Sequence, residues 1–204
     1  MKAVIISGGS ITNYQYIKNQ VKDSDIIICA DSGYDHAQKL GLKVSAVVGD
    51  FDSIKSAPKD TITISYPSKK DFTDTEIAIA YARDKGFTDF LLLGATGGRM
   101  DHSLTNILLL KNFLERGETA AIVDEHSKIR LTSSTLCLHE APGSIVSLVP
   151  LSDCYGVCTQ SLEYPLSKAT LYMGSGLGVS NIMTSDCASV SIEKGLLLII
   201  IAQD

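Results

Sequence analysis

The hydrophobic and polar positions divide the chain into two parts with different periods. Up to residue 122, continuous apolar runs alternate with segments whose apolar residues recur at helical spacing. The runs that predict strands are Val4–Ser7, Ile26–Ala30, Val44–Val48, Ile62–Tyr66 and Leu91–Leu93. The segments that predict helices are Ser32–Leu40, Asp74–Lys85 and Leu104–Glu115. Because apolar strands without polar alternation are covered on both faces, this order predicts an α/β domain with a parallel sheet.

The remainder of the chain has no convincing long helix. Short β-rich runs recur there, separated by clusters of Gly, Ser, Asp and Pro. These runs are Lys128–Thr132, Ile145–Pro150, Ala169–Met173, Ser189–Ile192 and Leu196–Ala202. The pattern is typical of an antiparallel sandwich or barrel. We therefore expect two domains, an α/β domain over residues 1–122 and an all-β domain over residues 123–204.

Composition removes several classes of function. The chain has 204 residues and a formal net charge of -5, so its charge gives no reason to expect nucleic-acid binding. Its longest apolar run, Leu196–Ala202, is too short to span a bilayer, and its first residues lack the pattern of a signal peptide. The five cysteines have irregular spacing, which predicts reduced thiols. Together these features predict a cytoplasmic protein without a membrane partner.

Aspartates follow the predicted strands at the point where each strand ends. Asp31 follows the second strand, Asp50 and Asp52 the third, Asp74 the fourth and Asp101 the fifth. In an open parallel sheet, ligands bind beyond the carboxyl ends of the strands, so we expect these carboxylates to converge. A cluster of acidic groups with no obvious nucleophile indicates phosphoryl-type transfer, in which metal ions balance charge.

The triplet Asp50-Phe51-Asp52 predicts a magnesium site. Two carboxylates two residues apart in an extended segment point the same way, and hard oxygen ligands suit Mg²⁺. The alternative is an Asp-rich turn that caps a following helix. The aspartates that follow the other strands favour the interpretation of this triplet as a metal site.

Two further segments provide groups for a phosphate. Thr73 or Asp74 is expected to cap a helix, whose N-terminus is a natural anion site. Farther on, the glycine-rich stretch Gly94–Gly98 precedes Arg99, a planar cation suited to phosphate oxygens. Asp101 would complete the metal shell or orient a hydroxyl. His102 either contacts the ligand or makes a hydrogen bond at the start of a helix.

On four ordered stretches the chain resembles the thiamine pyrophosphokinase family. They are Ala30–Ser53, Lys70–Ala82, Leu92–Leu110 and Ser161–Asn181. The resemblance implies a Rossmann-like, three-layer catalytic domain with a parallel sheet and a C-terminal β-sandwich domain that binds thiamine. It also implies a homodimer whose active sites lie between the catalytic domain of one subunit and the β-domain of the other.

The resemblance assigns ligands to particular residues. Mg²⁺ and ATP are expected at Asp31, Asp50, Asp52, Asp74, Arg99 and Asp101, and thiamine near Thr73, Tyr164, Ser180 and Asn181. The aromatic ring of Tyr164 suits a flat, cationic ligand, and it stands where some relatives carry Trp. Ile182 follows Asn181 where many relatives carry an acidic residue.

The expected reaction moves the terminal diphosphate of ATP onto the hydroxyl of thiamine and releases AMP. Asp50, Asp52 and Asp101 would hold Mg²⁺, Arg99 would stabilise the developing charge, and Asp74 would orient the hydroxyl or take its proton. Two alternatives stay open: a metal-dependent phosphohydrolase and a non-catalytic thiamine or nucleotide sensor. Formation of AMP separates the first interpretation from both.

Overall fold

The computed structural model describes residues 1–23, 25–49, 61–65 and 71–202. The chain divides into two compact units, Met1–Glu125 and His126–Asp204. The boundary expected after residue 122 therefore falls inside the last strand of the first unit. Asp50 and Asp52 lie outside the described residues.

The first unit is a parallel sheet with helices on both faces. Its strands, in the spatial order β6-β5-β1-β2-β3-β4, are all paired in parallel. In chain order they are β1 (Ala3–Ile6), β2 (Ile26–Ala30), β3 (Ala46–Gly49), β4 (Ile62–Ser65), β5 (Asp89–Leu93) and β6 (Thr119–Val123). The helices are α1 (Tyr14–Lys18), α2 (Gly33–Leu40), α3 (Asp74–Asp84) and α4 (Met100–Glu115).

Strand alternation explains the two covered faces. Val4 and Ile6 pack in one core with Ile17 of α1 and Leu40 of α2. The alternate strand positions point the other way, where Phe90 meets Phe113 of α4 with ring centroids 4.8 Å apart. This three-layer arrangement confirms the predicted fold class.

Helix α4 begins four residues earlier than the predicted Leu104. Its first turn holds Asp101, His102 and Ser103, so the apolar period that marks a helix starts only after it. Strand β6 was missed because its two alanines weaken the β signal, and α1 because it is only five residues long.

The second unit is a sandwich of two antiparallel sheets. One has the order β12-β9-β14-β7 and the other β11-β10-β13-β8. Its strands are β7 (Ser127–Thr132), β8 (Thr135–Leu138), β9 (Ile145–Pro150), β10 (Cys154–Gln160), β11 (Ala169–Leu171), β12 (Asn181–Ile182), β13 (Ala188–Ser191) and β14 (Leu197–Ala202). Leu148 and Ile199 of the first sheet share one core with Val157 and Val190 of the second. Sequence periodicity missed β8, β10 and β12.

The five cysteines are free thiols. Within the described residues, no helix is both long and apolar enough to cross a membrane.

Candidate active site

The turn after β1 (Ser7–Gly9), called the β1 turn below, packs directly on the loop after β5. The N–H of Gly9 donates to the carbonyl oxygen of Gly94 at 2.7 Å. A Cβ atom at Gly9 would lie 2.2 Å from the carbonyl oxygen of Thr96 and 2.5 Å from that of Gly94. Only glycine permits this approach of two backbone segments.

Asp31 ends β2 in a left-handed conformation, with φ at 46°. Its N–H donates to Val48 at 2.7 Å and its carbonyl accepts from Tyr34 at 3.0 Å, so the residue is held between β3 and α2. A non-glycine residue in this region costs roughly 1–3 kcal/mol, and such strain clusters at functional sites. Gly49, the residue before Asp50, lies beside Asp31: a Cβ atom at Gly49 would be 3.2 Å from the Cα of Asp31.

Helix α3 begins at the same edge of the sheet with a reciprocal cap. Thr73 Oγ1 accepts from the N–H of Glu76 at 3.2 Å, and Glu76 Oε2 accepts from the N–H of Thr73 at 2.9 Å. Ser7 and Thr75 share a buried hydroxyl hydrogen bond of 2.9 Å, which joins the helix to the end of β1. Asp74 is thus fixed in the first turn of a helix whose positive end lies at the strand ends.

Buried side chains shape the loop between β5 and α4. Asn106 Nδ2 donates to the carbonyl oxygen of Ala95 at 2.7 Å. Thr96 Oγ1 donates to Asp124 Oδ2 at 2.5 Å, which ties the loop to the end of β6. Both contacts were missed by sequence reasoning, because their partners are separated along the chain by 11 and 28 residues.

Arg99 and Asp101 form an exposed pair at the start of α4. Arg99 Nη2 donates to Asp101 Oδ2 at 2.5 Å, and Nε donates to Oδ1 at 3.2 Å. Hydrogen bonding to Arg99 lowers the pKa of Asp101, and the same contact raises the pKa of Arg99. The N–H of His102 also donates to Asp101 Oδ1, at 3.0 Å. This bond uses the backbone of His102, and the residue also lines the cavity described next.

These segments enclose one cavity of about 350 Å³, called the cleft below. The residues that line it are Ser7, Gly8, Gly9, Ala30, Asp31, Ser32, Thr73, Asp74, Thr75, Gly94, Ala95, Thr96, Gly98, Arg99, His102, Ser103 and Asn106. Among them, within the described part of the chain, Arg99 is the only lysine or arginine. The cleft therefore combines carboxylates, one guanidinium, a helix N-terminus and glycine backbone, which suits a polyphosphate with its counter-ion.

In the second unit, Asn181 holds the backbone of Tyr164. Asn181 Nδ2 donates to the carbonyl oxygen of Tyr164 at 2.7 Å, and Oδ1 accepts from the N–H of Tyr164 at 3.0 Å. Oδ1 also accepts from the N–H of Ile182 at 2.9 Å. Asn181 is only 3% exposed, whereas Tyr164 is 61% exposed. The amide is thus used inside the protein, and the aromatic ring faces outward.

Ser180, the residue before Asn181, has a left-handed backbone conformation, with φ at 58°. Its N–H donates to Ser147 Oγ at 3.0 Å. The loop between β11 and β12 exposes four large side chains just before it: Tyr172, Met173, Leu177 and Val179. An apolar loop beside a strained, exposed serine and an exposed tyrosine is a candidate surface for an aromatic ligand.

The structure thus brings together five of the predicted site residues, Asp31, Thr73, Asp74, Arg99 and His102, in one cleft. Asp101 contacts Arg99 and does not line this cleft. The predicted Tyr164, Ser180 and Asn181 lie together in the second unit. Sequence reasoning missed Ser7, Thr75, Thr96 and Asn106, which are buried polar residues.

Family models recognise both units. Residues 17–122 match the thiamin pyrophosphokinase catalytic domain, and residues 133–197 match the thiamin pyrophosphokinase vitamin B1 binding domain. The chain belongs to the thiamine pyrophosphokinase family. The resemblance stated from the sequence motifs is therefore confirmed.

Two individual thiamine pyrophosphokinases are similar to this chain, one of them over its whole length. The enzyme of Bacillus subtilis (strain 168) is 27% identical over 214 residues, which cover 100% of both chains. Thiamine pyrophosphokinase 2 of Arabidopsis thaliana is 24% identical over 173 residues, 76% of this chain and 64% of that one.

Solved structures share the fold. The B. subtilis thiamine pyrophosphokinase superimposes with a TM-score of 0.90 at 24% identity, covering 100% of both chains. The enzyme of Geobacillus thermodenitrificans superimposes with a TM-score of 0.87 at 25% identity, covering 100% of this chain and 98% of that one. As a thiamine pyrophosphokinase family member, the chain is an enzyme that forms thiamine diphosphate with ATP as co-substrate.

Proposed function

We propose that the cleft binds ATP and directs its terminal diphosphate onto the hydroxyl of thiamine, with release of AMP. The observation that carries this proposal is the convergence of Asp31, Asp74 and Arg99 on one cavity at the carboxyl ends of parallel strands. The reaction requires groups that balance the phosphate charge and a polar group that orients the attacking hydroxyl. Different secondary-structure elements supply these groups in the cleft.

The phosphate chain is held by backbone and by one cation. The glycines of the β1 turn and Gly98 let backbone approach the phosphate oxygens, and the N-terminus of α3 favours their negative charge. Arg99 donates to the oxygens that gain charge as the anhydride breaks. Asp101 orients Arg99, because its carboxylate engages two of the guanidinium nitrogens.

Asp74 is assigned to the attacking group. Its carboxylate accepts a hydrogen bond from the thiamine hydroxyl, which turns the oxygen toward the β-phosphorus. The new bond joins that oxygen to phosphorus, and the bond from phosphorus to the bridging α–β oxygen breaks. AMP leaves with that electron pair, and the hydroxyl proton passes to Asp74 or to water.

The residues of the cleft fit Mg²⁺. Asp31 and Asp74 supply hard oxygen donors beside a single guanidinium, a charge set that leaves the phosphates of ATP in need of a divalent cation. Asp50, Asp52 and Asp101 would hold the metal, as the motifs imply, and Asp31 would join them from the end of β2. When bound, Mg²⁺ neutralises phosphate charge and makes the phosphorus easier to attack.

The second unit is assigned to thiamine. The exposed ring of Tyr164 supplies a stacking face for a flat cation, and Asn181 fixes the backbone that carries the ring. Ser180 offers an exposed hydroxyl for the aminopyrimidine edge. Asn181 acts through Tyr164 in this assignment, since its own amide is used internally.

A homodimer would account for the exposed apolar side chains of α4 in the first unit. Met100, Leu104 and Leu108 lie four residues apart on α4, and each is at least 47% exposed. In a monomer an apolar stripe of this kind faces water, and pairing with a second copy would bury its side chains.

The free cysteines support a cytoplasmic location, because thiols persist in reducing compartments.

The reaction is tested by incubating the chain with ATP, MgCl₂ and thiamine and separating the products by chromatography. We expect AMP and thiamine diphosphate in equal amounts, and none of either after addition of EDTA. ADP or inorganic phosphate would indicate a kinase or a phosphohydrolase. Binding of thiamine in calorimetry without turnover would indicate a sensor.

The dimer is tested by light scattering across a concentration series. We expect a dimer for the wild type and for Asp84→Lys, an exposed polar position of α3 outside the apolar stripe. Leu104→Lys should yield a monomer, because it places a charge in the apolar stripe. A wild-type monomer at every concentration would contradict the proposal.

A further inference from the structure

Outside the residues already assigned, one histidine contacts the β1 turn. His36 lies on α2, half-buried, and its Nε2 is 2.8 Å from the carbonyl oxygen of Gly9. Its Nδ1 is 2.8 Å from the hydroxyl of Tyr14 on α1. Lys39, one turn farther along α2, places Nζ 3.2 Å from the same hydroxyl. Four side-chain and backbone groups thus form one continuous chain that ends at the wall of the cleft.

The partners fix the direction of this hydrogen-bond chain. A carbonyl oxygen only accepts, so Nε2 of His36 carries the hydrogen and donates to Gly9. Nδ1 of the neutral ring is then an acceptor and receives the hydroxyl hydrogen of Tyr14. Lys39 only donates, and its hydrogen goes to the oxygen of Tyr14. With His36 neutral, each of the three contacts joins a donor to an acceptor, whereas a charged ring would take from the Tyr14 hydroxyl hydrogen its acceptor in this chain.

The charges around His36 are compatible with that neutral form. Burial of the ring lowers the pKa of His36, the hydrogen bond to Gly9 raises it, Lys39 lowers it and Asp35 raises it, and the net direction is downward. Tyr14, the facing group from α1, packs against the imidazole with ring centroids 5.9 Å apart.

The β1 turn requires such a restraint. Two consecutive glycines, Gly8 and Gly9, have more conformational freedom than any other dipeptide. The N–H of Gly9 is bound to Gly94, and its carbonyl is bound to His36, so both polar groups of this residue are engaged. Loss of either bond would let the peptide groups of Gly9, which lines the cleft, rotate more freely.

We propose that His36 is a positioning residue that holds the β1 turn in the shape that binds the phosphates of ATP, with Tyr14 and Lys39 orienting its ring. This inference rests on the proposed function for the identity of the ligand. His36 itself does not line the cleft within the described residues and is not assigned to the chemistry.

The first test is calorimetric titration of ATP with MgCl₂ into the wild type and three variants. His36→Ala should weaken ATP binding about tenfold, the factor expected for one lost hydrogen bond. His36→Gln should stay within about threefold of the wild type, because the glutamine amide reaches the position of Nε2 and also donates. Tyr14→Phe, which keeps the ring and removes the hydroxyl, should fall between these two.

Steady-state kinetics supplies a readout that a merely structural role would not move. His36→Ala should raise KM for ATP about as much as it weakens binding, and should change KM for thiamine less than about twofold. Equal losses in His36→Ala and His36→Gln would overturn the proposal. So would unchanged ATP affinity in a folded His36→Ala.

Nitrogen NMR of histidine-labelled protein tests the ring directly. The His36 signal, assigned by its absence in His36→Gln, should show the neutral form with hydrogen on Nε2 at neutral pH. A charged ring or hydrogen on Nδ1 would overturn the proposal. Calorimetry and NMR need no turnover. A failure to form AMP would therefore contradict the proposed function, while these two measurements would still decide the role of His36.

Discussion

The cleft of the first unit and the exposed surface around Tyr164 and Ser180 in the second unit present a ligand site in opposite ways. The cleft is built mainly from backbone, with glycine turns, strand ends and a helix N-terminus held by buried hydroxyls and amides. The second unit presents exposed side chains, and one buried asparagine holds the backbone of Tyr164, whose ring is exposed.

This difference follows from the ligands assigned to each unit. Phosphates are small, strongly charged and recognised by N–H groups and cations, which rigid backbone presents well. A flat aromatic cation is recognised by area and by the face of a ring. We therefore expect backbone changes to damage the first unit most, and side-chain truncations to damage the second. Four substitutions follow in order of decreasing expected effect, and Gly9→Ala and Asn181→Ala test this contrast directly.

Asp74→Asn should lower kcat by about 10²- to 10⁴-fold, because the amide replaces the carboxylate that faces the attacking hydroxyl. Circular dichroism should show an intact fold. Asp84→Asn, the same change at the exposed far end of α3, is the matched control and should retain wild-type turnover. An Asp74→Asn enzyme with more than about a tenth of wild-type kcat would contradict the assignment.

Gly9→Ala should destabilise the first unit by about 3 kcal/mol, because the added methyl group meets two backbone carbonyl oxygens that cannot rotate away. Chemical denaturation measures the loss. Gly98→Ala lies in the same cleft, but its nearest atom would be the Cα of Gly9 at 3.9 Å, so its stability should match the wild type. Equal stability of both variants would show that the backbone approach is not tight.

Asn181→Ala should cost about 2 kcal/mol, because it leaves the N–H and carbonyl of Tyr164 without their buried partner. KM for thiamine should rise while KM for ATP stays unchanged. Asn112→Ala, an exposed asparagine of the other unit, should alter neither stability nor KM. A rise in KM for both substrates would indicate that Asn181 acts on the whole protein and not through Tyr164.

Asp101→Asn should have the smallest effect on stability, because its pair with Arg99 is fully solvated. The pKa of Asp101 is lowered in the folded protein, so its contribution is present above the ordinary aspartate range and is lost as the pH falls through the folded pKa. Melting curves of wild type and variant should nearly coincide at neutral pH and converge further in acid. A wide gap that persists in acid would contradict this sign.

Sequence motifs placed two carboxylates of the cleft, because Asp31 follows β2 directly and Asp74 begins the helix after β4. Asp31 and Asp74 could be placed at one edge once the sheet was inferred to be parallel. The missed residues have a different origin: Thr96 and Asn106 act through partners on other elements, and no local pattern marks a hydroxyl or amide that binds a distant carbonyl. Asn181 was predicted as a thiamine contact, and the structure uses its amide inside the protein.

The sequence by itself determined the family, the two-unit order, the strand and helix alternation and the position of each aspartate along the chain. These depend on local periodicity and on motifs that need no knowledge of distant contacts. Only the tertiary structure decided which polar groups meet. The links from His36 to Gly9, from Ser7 to Thr75 and from Asn181 to Tyr164 join residues 17 to 68 positions apart. Such contacts form only when packing brings separate elements within hydrogen-bonding distance, and their directional geometry leaves no periodic trace in the sequence.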